Sequence, residues 1–101
     1  MYRSMFAPRE FEWDEEKAAR NLAKHGFRFT DVLAVFLDPA RVDYDVSRPE
    51  EGEFRRKSIG LIEGRLFTVV YTLRGPVHRL ISARKANPQE RKRYGHRPLS
   101  P

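Results

Sequence analysis

Three runs of strand-forming residues, EFRRKSIGLI, RLFTVVYTL and VHRLISARKA, fill the chain from Glu53 to Ala86 and alternate between apolar and polar positions. The breaks between them, Glu63-Gly64 and Arg74-Gly75-Pro76, are short turn signals, so the pattern predicts a three-stranded antiparallel meander. A two-residue turn at Glu63-Gly64 sets Arg55 opposite Thr72 and Arg56 opposite Tyr71. A three-residue loop from Arg74 to Pro76 sets His78 beside Thr72 and Arg79 beside Tyr71. Because alternate residues point to opposite sides, one face then carries Phe67, Val69, Tyr71, Ile81 and Ala83. The other carries Arg55, Lys57, Thr72, His78, Ser82 and Arg84 among Leu66, Val70 and Leu80. The apolar face calls for helices to cover it; the mixed face can host chemistry.

Upstream the period changes. After a loose lead-in from Met1 to Glu10, broken by Pro8, Phe11-Glu12-Trp13 reads as a short edge strand. Asp14 is suited to cap a helix, Glu15 and Glu16 place negative charge in its first turn, and Lys24 and His25 place basic groups in its last turn before Gly26. This helix, Asp14 to His25, has Ala18, Ala19, Leu22 and Ala23 as its apolar stripe and Lys17, Arg20, Asn21 and Lys24 on the other side. Thr30 or Asp31 caps a second helix carried by Val32, Leu33 and Phe36 and ended by Asp38-Pro39. Arg41 to Val46 alternates and predicts a further strand, and Ser47 to Gly52 is a charged loop. Asn87 or Pro88 opens a short last helix through Tyr94, followed by a frayed tail, Gly95 to Pro101. The fold class is α+β, a small antiparallel sheet with two N-terminal helices and a short C-terminal one. It forms one domain with an ordered core from Phe11 to Tyr94 and tails 1-10 and 95-101.

Charge adds a partner to this picture. Twenty Lys and Arg against 14 Asp and Glu leave a net charge of +6, which points to an anionic partner such as nucleic acid, although a basic soluble surface would give the same total. There are no cysteines, which rules out a disulfide framework and thiolate metal ligands. No apolar run reaches membrane-spanning length and no secretory leader pattern opens the chain, so the expected compartment is the cytoplasm. Metal-ligand spacings, phosphate-binding glycine loops and nucleophile elbows do not occur.

Four segments, FEWDEEKAARNLAKHG, GEFRRKSIG, VVYTLRG and RLISARKANPQERKRY, together and in this order resemble the BrnT toxins of type II toxin–antitoxin systems, from Phe11 to Tyr94. The resemblance implies a fold similar to the RelE-type ribonuclease toxins. It further implies an endoribonuclease that needs no metal or other cofactor, cleaves RNA and suppresses translation. The partners it implies are the RNA substrate and a neutralising BrnA-like antitoxin, which carries the DNA-binding role, in a higher-order complex. Position by position it falls on Lys24, His25 and Gly26, on Gly52, Glu53 and Arg55, and on Arg74. At the end it falls on Arg79, Ser82, Ala83, Arg84, Lys85 and Ala86, then on Glu90, Arg91 and Tyr94. Pro76 and His78 stand in a connection that varies within the family.

RNA can be cut without a metal because its 2′-hydroxyl can attack the adjacent phosphate. That requires a proton acceptor, a proton donor for the leaving 5′-oxygen, and cations for the added charge. Arg55, Arg79 and Arg84 are the candidates for the last role, since a guanidinium holds two phosphate oxygens and keeps its charge. His25, Glu90 and Tyr94 are the candidates for proton transfer, with histidine alone titrating near neutrality. Lys17, Arg20, Lys24, Arg74, Lys85 and Arg91 are the candidate RNA-backbone contacts. Arg84 and Lys85 also sit where a strand end meets a helix start, a place suited to phosphate. Each has a plainer reading: a capping histidine, salt-bridged arginines on strands, a solvated helix face. The site read here has Arg55, Arg79 and Arg84 converging on one patch to grip a phosphodiester; the alternative is a non-catalytic nucleic-acid- or partner-binding module, which needs no such convergence.

Overall fold

The computed structural model describes residues 10–95, so the expected lead-in and tail, apart from Glu10 and Gly95, lie outside the described residues. In chain order the elements are β1 (Glu10–Glu12), α1 (Glu15–His25), a 3-10 helix (Phe29–Leu37), β2 (Val42–Asp45), a short 3-10 turn (Pro49–Glu51), β3 (Arg56–Ile62), β4 (Arg65–Arg74), β5 (Val77–Lys85) and α2 (Pro88–Gly95). The strands make one five-stranded sheet in the order β1-β5-β4-β3-β2. The class is α+β, but the sheet is mixed: β1 runs parallel to β5, and every other pair is antiparallel. A strand that precedes two helices can return to the meander only at its open edge, and here that edge belongs to β5.

α1 has the expected boundaries. Asp14 Oδ1 accepts the Glu16 and Lys17 amides at 2.8 and 3.4 Å, and Gly26, at φ 82°, donates its amide to Leu22 as a left-handed cap. The second helix is corrected in type. Its residues form a 3-10 helix in which Asp31 accepts the Arg28 amide at 2.9 Å. With three residues per turn, Phe29, Val32 and Val35 align on one side, and all three are buried with Phe36. The α-helical pattern selects Val32, Leu33 and Phe36 instead. This segment lies across β3 so closely that a β-carbon on Gly60 would stand 2.8 Å from Val35 Cγ1 and 2.9 Å from its carbonyl oxygen.

The first hairpin has the expected register, with Ile62 opposite Arg65 and Arg56 opposite Tyr71. Glu63 and Gly64 both have positive φ, 48° and 80°, as a turn matched to strand twist demands. The second hairpin departs from expectation. Its turn is only Gly75-Pro76, with Arg74 opposite Val77, and a bulge between Val70 and Tyr71 shifts the pairing so that Tyr71 faces Leu80 while Val70 faces Ser82. The extra residue, Ile81, reverses side-chain parity along β5. His78 and Leu80 therefore lie on the core face with Tyr71, where the His78 ring stacks on Tyr71 at 4.7 Å. Arg79 joins Thr72, Ser82 and Arg84 on the other face, over which α2 packs. The core comprises Phe29, Val32, Val35, Phe36, Phe67, Val69, Tyr71, Leu80 and Ala83.

Candidate nucleic-acid interface

One buried amide orients α1. Asn21 is 6% exposed; its Nδ2 donates to the carbonyls of Phe27 (3.1 Å) and Ala83 (2.8 Å), and its Oδ1 accepts the Ala83 amide at 3.0 Å. The side chain thus bonds β5 across its bulged end and holds the segment after the helix. Asn21 was expected on the polar side of α1, and Ala19, Leu22 and Ala23 on the buried side; the structure exposes those three and turns Asn21 inward. Two hydrogen bonds to an unpaired strand backbone outweigh the burial of two alanines and a leucine. The rotation sets Lys17, Arg20 and Lys24 beside Ile81 and Ser82, along a depression of about 350 Å³.

That depression shares Lys24 and His25 with a cleft of about 440 Å³ lined by Lys24, His25, Gly26, Phe27, Arg65, Arg84 and Lys85. Three elements meet there: the end of α1, the start of β4 and the end of β5. The wall is fixed by the Lys85–Phe67 pair of the ladder and by the Ala86 amide, which donates to Leu66 at 3.0 Å. Phe27 packs edge-on against Phe67 at 5.1 Å. Among the described residues, Lys17, Arg20, Lys24, Arg65 and Lys85 take part in no ion pair. Nor does any hydrogen bond hold the His25 ring. Burial, then the charges of Lys24 and Arg84, hold the His25 pKa below its ordinary 6.5, so the imidazole is neutral at pH 7 and able to accept a proton. Arg65 was not among the expected site residues; its signal was its place directly after the first hairpin turn, on the strand that neighbours the end of β5.

Arg84 reaches this cleft from a second, buried cluster. Glu90 is 3% exposed and accepts from Arg84 at 2.7 and 2.8 Å, from Lys57 at 2.8 Å, from Thr68 at 2.8 Å and from the Asn87 amide at 2.9 Å. Asn87 in turn accepts the Glu90 amide at 2.8 Å, closing a capping box at the start of α2. Burial alone would raise the Glu90 carboxyl, but the bonds from Arg84, Lys57, Asn87 and Thr68 outweigh it and hold the group well below the usual carboxylate range. Those bonds and the capping role leave Glu90 to hold Arg84 in place. The Arg84 guanidinium uses three of its five N–H donors, on Glu90 and the Lys85 carbonyl, which leaves two.

The expected convergence of three arginines does not occur. Arg55 pairs with Glu51 at 3.4 Å and Glu53 at 3.0 Å, Arg79 with Glu12 at 2.8 Å, and Arg84 with Glu90. Arg79 and Arg84 stand opposite Thr72 and Thr68, four residues or about 13 Å apart along β4. Arg55 and Arg79 are each engaged by an acid that the neighbouring turn or strand places beside them, whereas Arg84, held by Glu90 of α2, keeps two N–H donors. Arg74 is exposed at the far end of β4, 3.9 Å from Glu12. Tyr94 donates to Asp38 Oδ2 at 2.7 Å, and Arg91 is exposed on α2; neither lines the cleft. A further polar cluster lies on the core face. Asp43 accepts from Arg56, from Ser58 and, at 2.6 Å, from Tyr71. Burial and the bond to Asp43 push the Tyr71 hydroxyl above its ordinary range, so this cluster ties β2 to β3 and β4.

Among the described residues, no three His, Asp or Glu side chains are grouped to hold a metal ion, and no helix is long and apolar enough to cross a membrane. A family model described as the ribonuclease toxin BrnT of type II toxin–antitoxin systems matches residues 13–90, which take in α1, the cleft and Glu90. No curated protein matches the chain.

Proposed function

We propose, since this chain belongs to the BrnT family of ribonuclease toxins of type II toxin–antitoxin systems, that it cuts RNA in the cleft of His25, Arg65, Arg84 and Lys85. In this reading His25 accepts the proton of the 2′-hydroxyl as that oxygen forms its bond to phosphorus. The bond from phosphorus to the 5′-oxygen breaks, leaving a 2′,3′-cyclic phosphate and a 5′-hydroxyl that takes its proton from solvent. Arg84, aimed by Glu90, holds the phosphate with Lys24 and Lys85 beside it. Lys17 and Arg20 continue the contact along the flanking backbone. No metal is needed, because the nucleophile is in the substrate and the charge is met by fixed cations. The reading moves proton transfer from Glu90 and Tyr94 to His25 and leaves Arg55, Arg74, Arg79 and Arg91 outside the reacting centre. Inhibition of translation, a cytoplasmic setting, RelE-type architecture and control by a BrnA-like antitoxin in a higher-order complex complete it.

The observation that carries this reading is the meeting of a neutral, unbonded histidine with five cations that form no ion pair among the described residues. Purified protein incubated with RNA in EDTA is expected to give fragments ending in 2′,3′-cyclic phosphate. His25→Ala is expected to slow single-turnover cleavage by about 100-fold, the usual scale of a lost general base, and Arg84→Ala by a comparable factor. Intact RNA in the wild-type reaction, or undiminished cleavage by both variants, overturns the assignment; bound but uncut RNA would mark a non-catalytic module.

A further inference from the structure

Arg65 is held in an unusual way for an exposed cation. Its guanidinium carbon lies 5.7 Å from the Phe27 ring centre and 5.4 Å from that of Phe67, and the two rings stand at 83° to each other. The two rings restrict where the planar group can sit, at low entropic freedom for a long side chain. Its backbone is fixed as well, since Arg65 pairs with Ile62 directly after the Glu63-Gly64 turn. No acid competes for it, and it shares the cleft with His25 and Arg84. A cation needed only for charge has no use for such a mount; a flat group held at a cleft wall offers a surface on which a base can lie.

We propose that Arg65, held by Phe27 and Phe67, is the stacking platform for one unpaired base of the substrate, so that the cleft selects single-stranded RNA. The inference rests on the cleft being the RNA site. The cleft then has two functions on its two walls: Arg84 and Lys85 meet the phosphate, and Arg65 meets the face of an adjoining base. In a duplex the base faces are covered by their neighbours in the stack, and the deep groove of A-form RNA does not admit a side chain to them. Only a loop, bulge or free strand can present a face to Arg65. Stacking tolerates any base, so the preference is for an unpaired position more than for a sequence.

The test uses short 2′-O-methyl RNA strands, which bind without being cut, each lacking one base while keeping its phosphate. With the wild-type protein, one abasic position is expected to weaken binding about tenfold, the usual scale of a lost base stack. Arg65→Lys, which keeps the charge and loses the plane, is expected to bind the intact strand about tenfold more weakly and to become indifferent at that position. Thermal unfolding of this variant should match the wild type, because Arg65 is exposed. An Arg65→Lys protein that binds as the wild type does and keeps the abasic sensitivity would reduce Arg65 to a charge and overturn the proposal. So would a flat abasic scan, or equal affinity for a hairpin stem. Failure of the cleft itself shows separately, as undiminished cleavage by His25→Ala and Arg84→Ala. Failure of the platform alone shows as a flat scan while those two variants are slowed as expected.

Discussion

At the scale of single residues, protonation separates His25 from Glu90. Burial, with Lys24 and Arg84 nearby, lowers the His25 pKa from 6.5, so the base form predominates at pH 7. A pH profile of kcat/KM should be level near neutrality and fall on acidification at a value below 6.5, where the imidazole takes up its proton. A profile still rising above pH 7 would assign the base elsewhere. Glu90 works in the opposite way. Its folded carboxyl titrates below the ordinary 4.5, so its stabilisation is fully present above that value and is lost as the pH falls through the folded one. Glu90→Gln should therefore cost about 3 kcal/mol at pH 7, the scale of a broken buried ion pair. Urea unfolding should show that deficit shrinking below pH 4.5. A deficit independent of pH would assign the loss to packing.

At the scale of elements, the close crossing of the 3-10 helix over β3 makes Gly60 the most exacting position of the sheet. The approach is to Val35 backbone as well as side chain, so a methyl group cannot be accommodated by a rotamer change alone. Gly60→Ala is expected to lower the unfolding free energy by about 2–3 kcal/mol, at the upper part of the range for overpacking, read as an earlier denaturant midpoint at unchanged slope. The same elements show where local reading succeeds. Asp14 and Gly26 bound α1, and Glu63-Gly64 sets the register of the first hairpin, because these signals act within a few residues. The second hairpin departs from its local signals because Gly75-Pro76 is compatible with more than one loop length, and nothing near Ile81 announces a bulge.

At the scale of the molecule, the net charge of +6 is less informative than which cations remain unpaired. Lys17, Arg20, Lys24, Arg65 and Lys85 line one continuous strip. If Lys17, Arg20, Lys24 and Lys85 meet phosphates of a single strand while Arg65 meets a base, the logarithm of the binding constant should fall with the logarithm of salt at a slope of about −2.8. Arg79→Gln, at a residue already paired with Glu12, should leave that slope unchanged, whereas Lys24→Gln should reduce it by about 0.7. Equal reductions would show that ion pairing does not sort the cations.

The sequence by itself determined the α+β class, the limits of α1 and α2 and the first hairpin, which follow from interactions between near neighbours, and the basic character, which follows from composition. It also carried His25, Lys24, Arg84 and Lys85 as candidates. Only the tertiary structure decided that Asn21 turns inward, that β1 lies parallel to β5, and that Arg55 and Arg79 are paired with acids while Arg65 rests on two aromatic rings. Those outcomes depend on which backbone edge or carboxylate comes within a few ångströms after the chain folds. Spacing along the chain does not encode that distance.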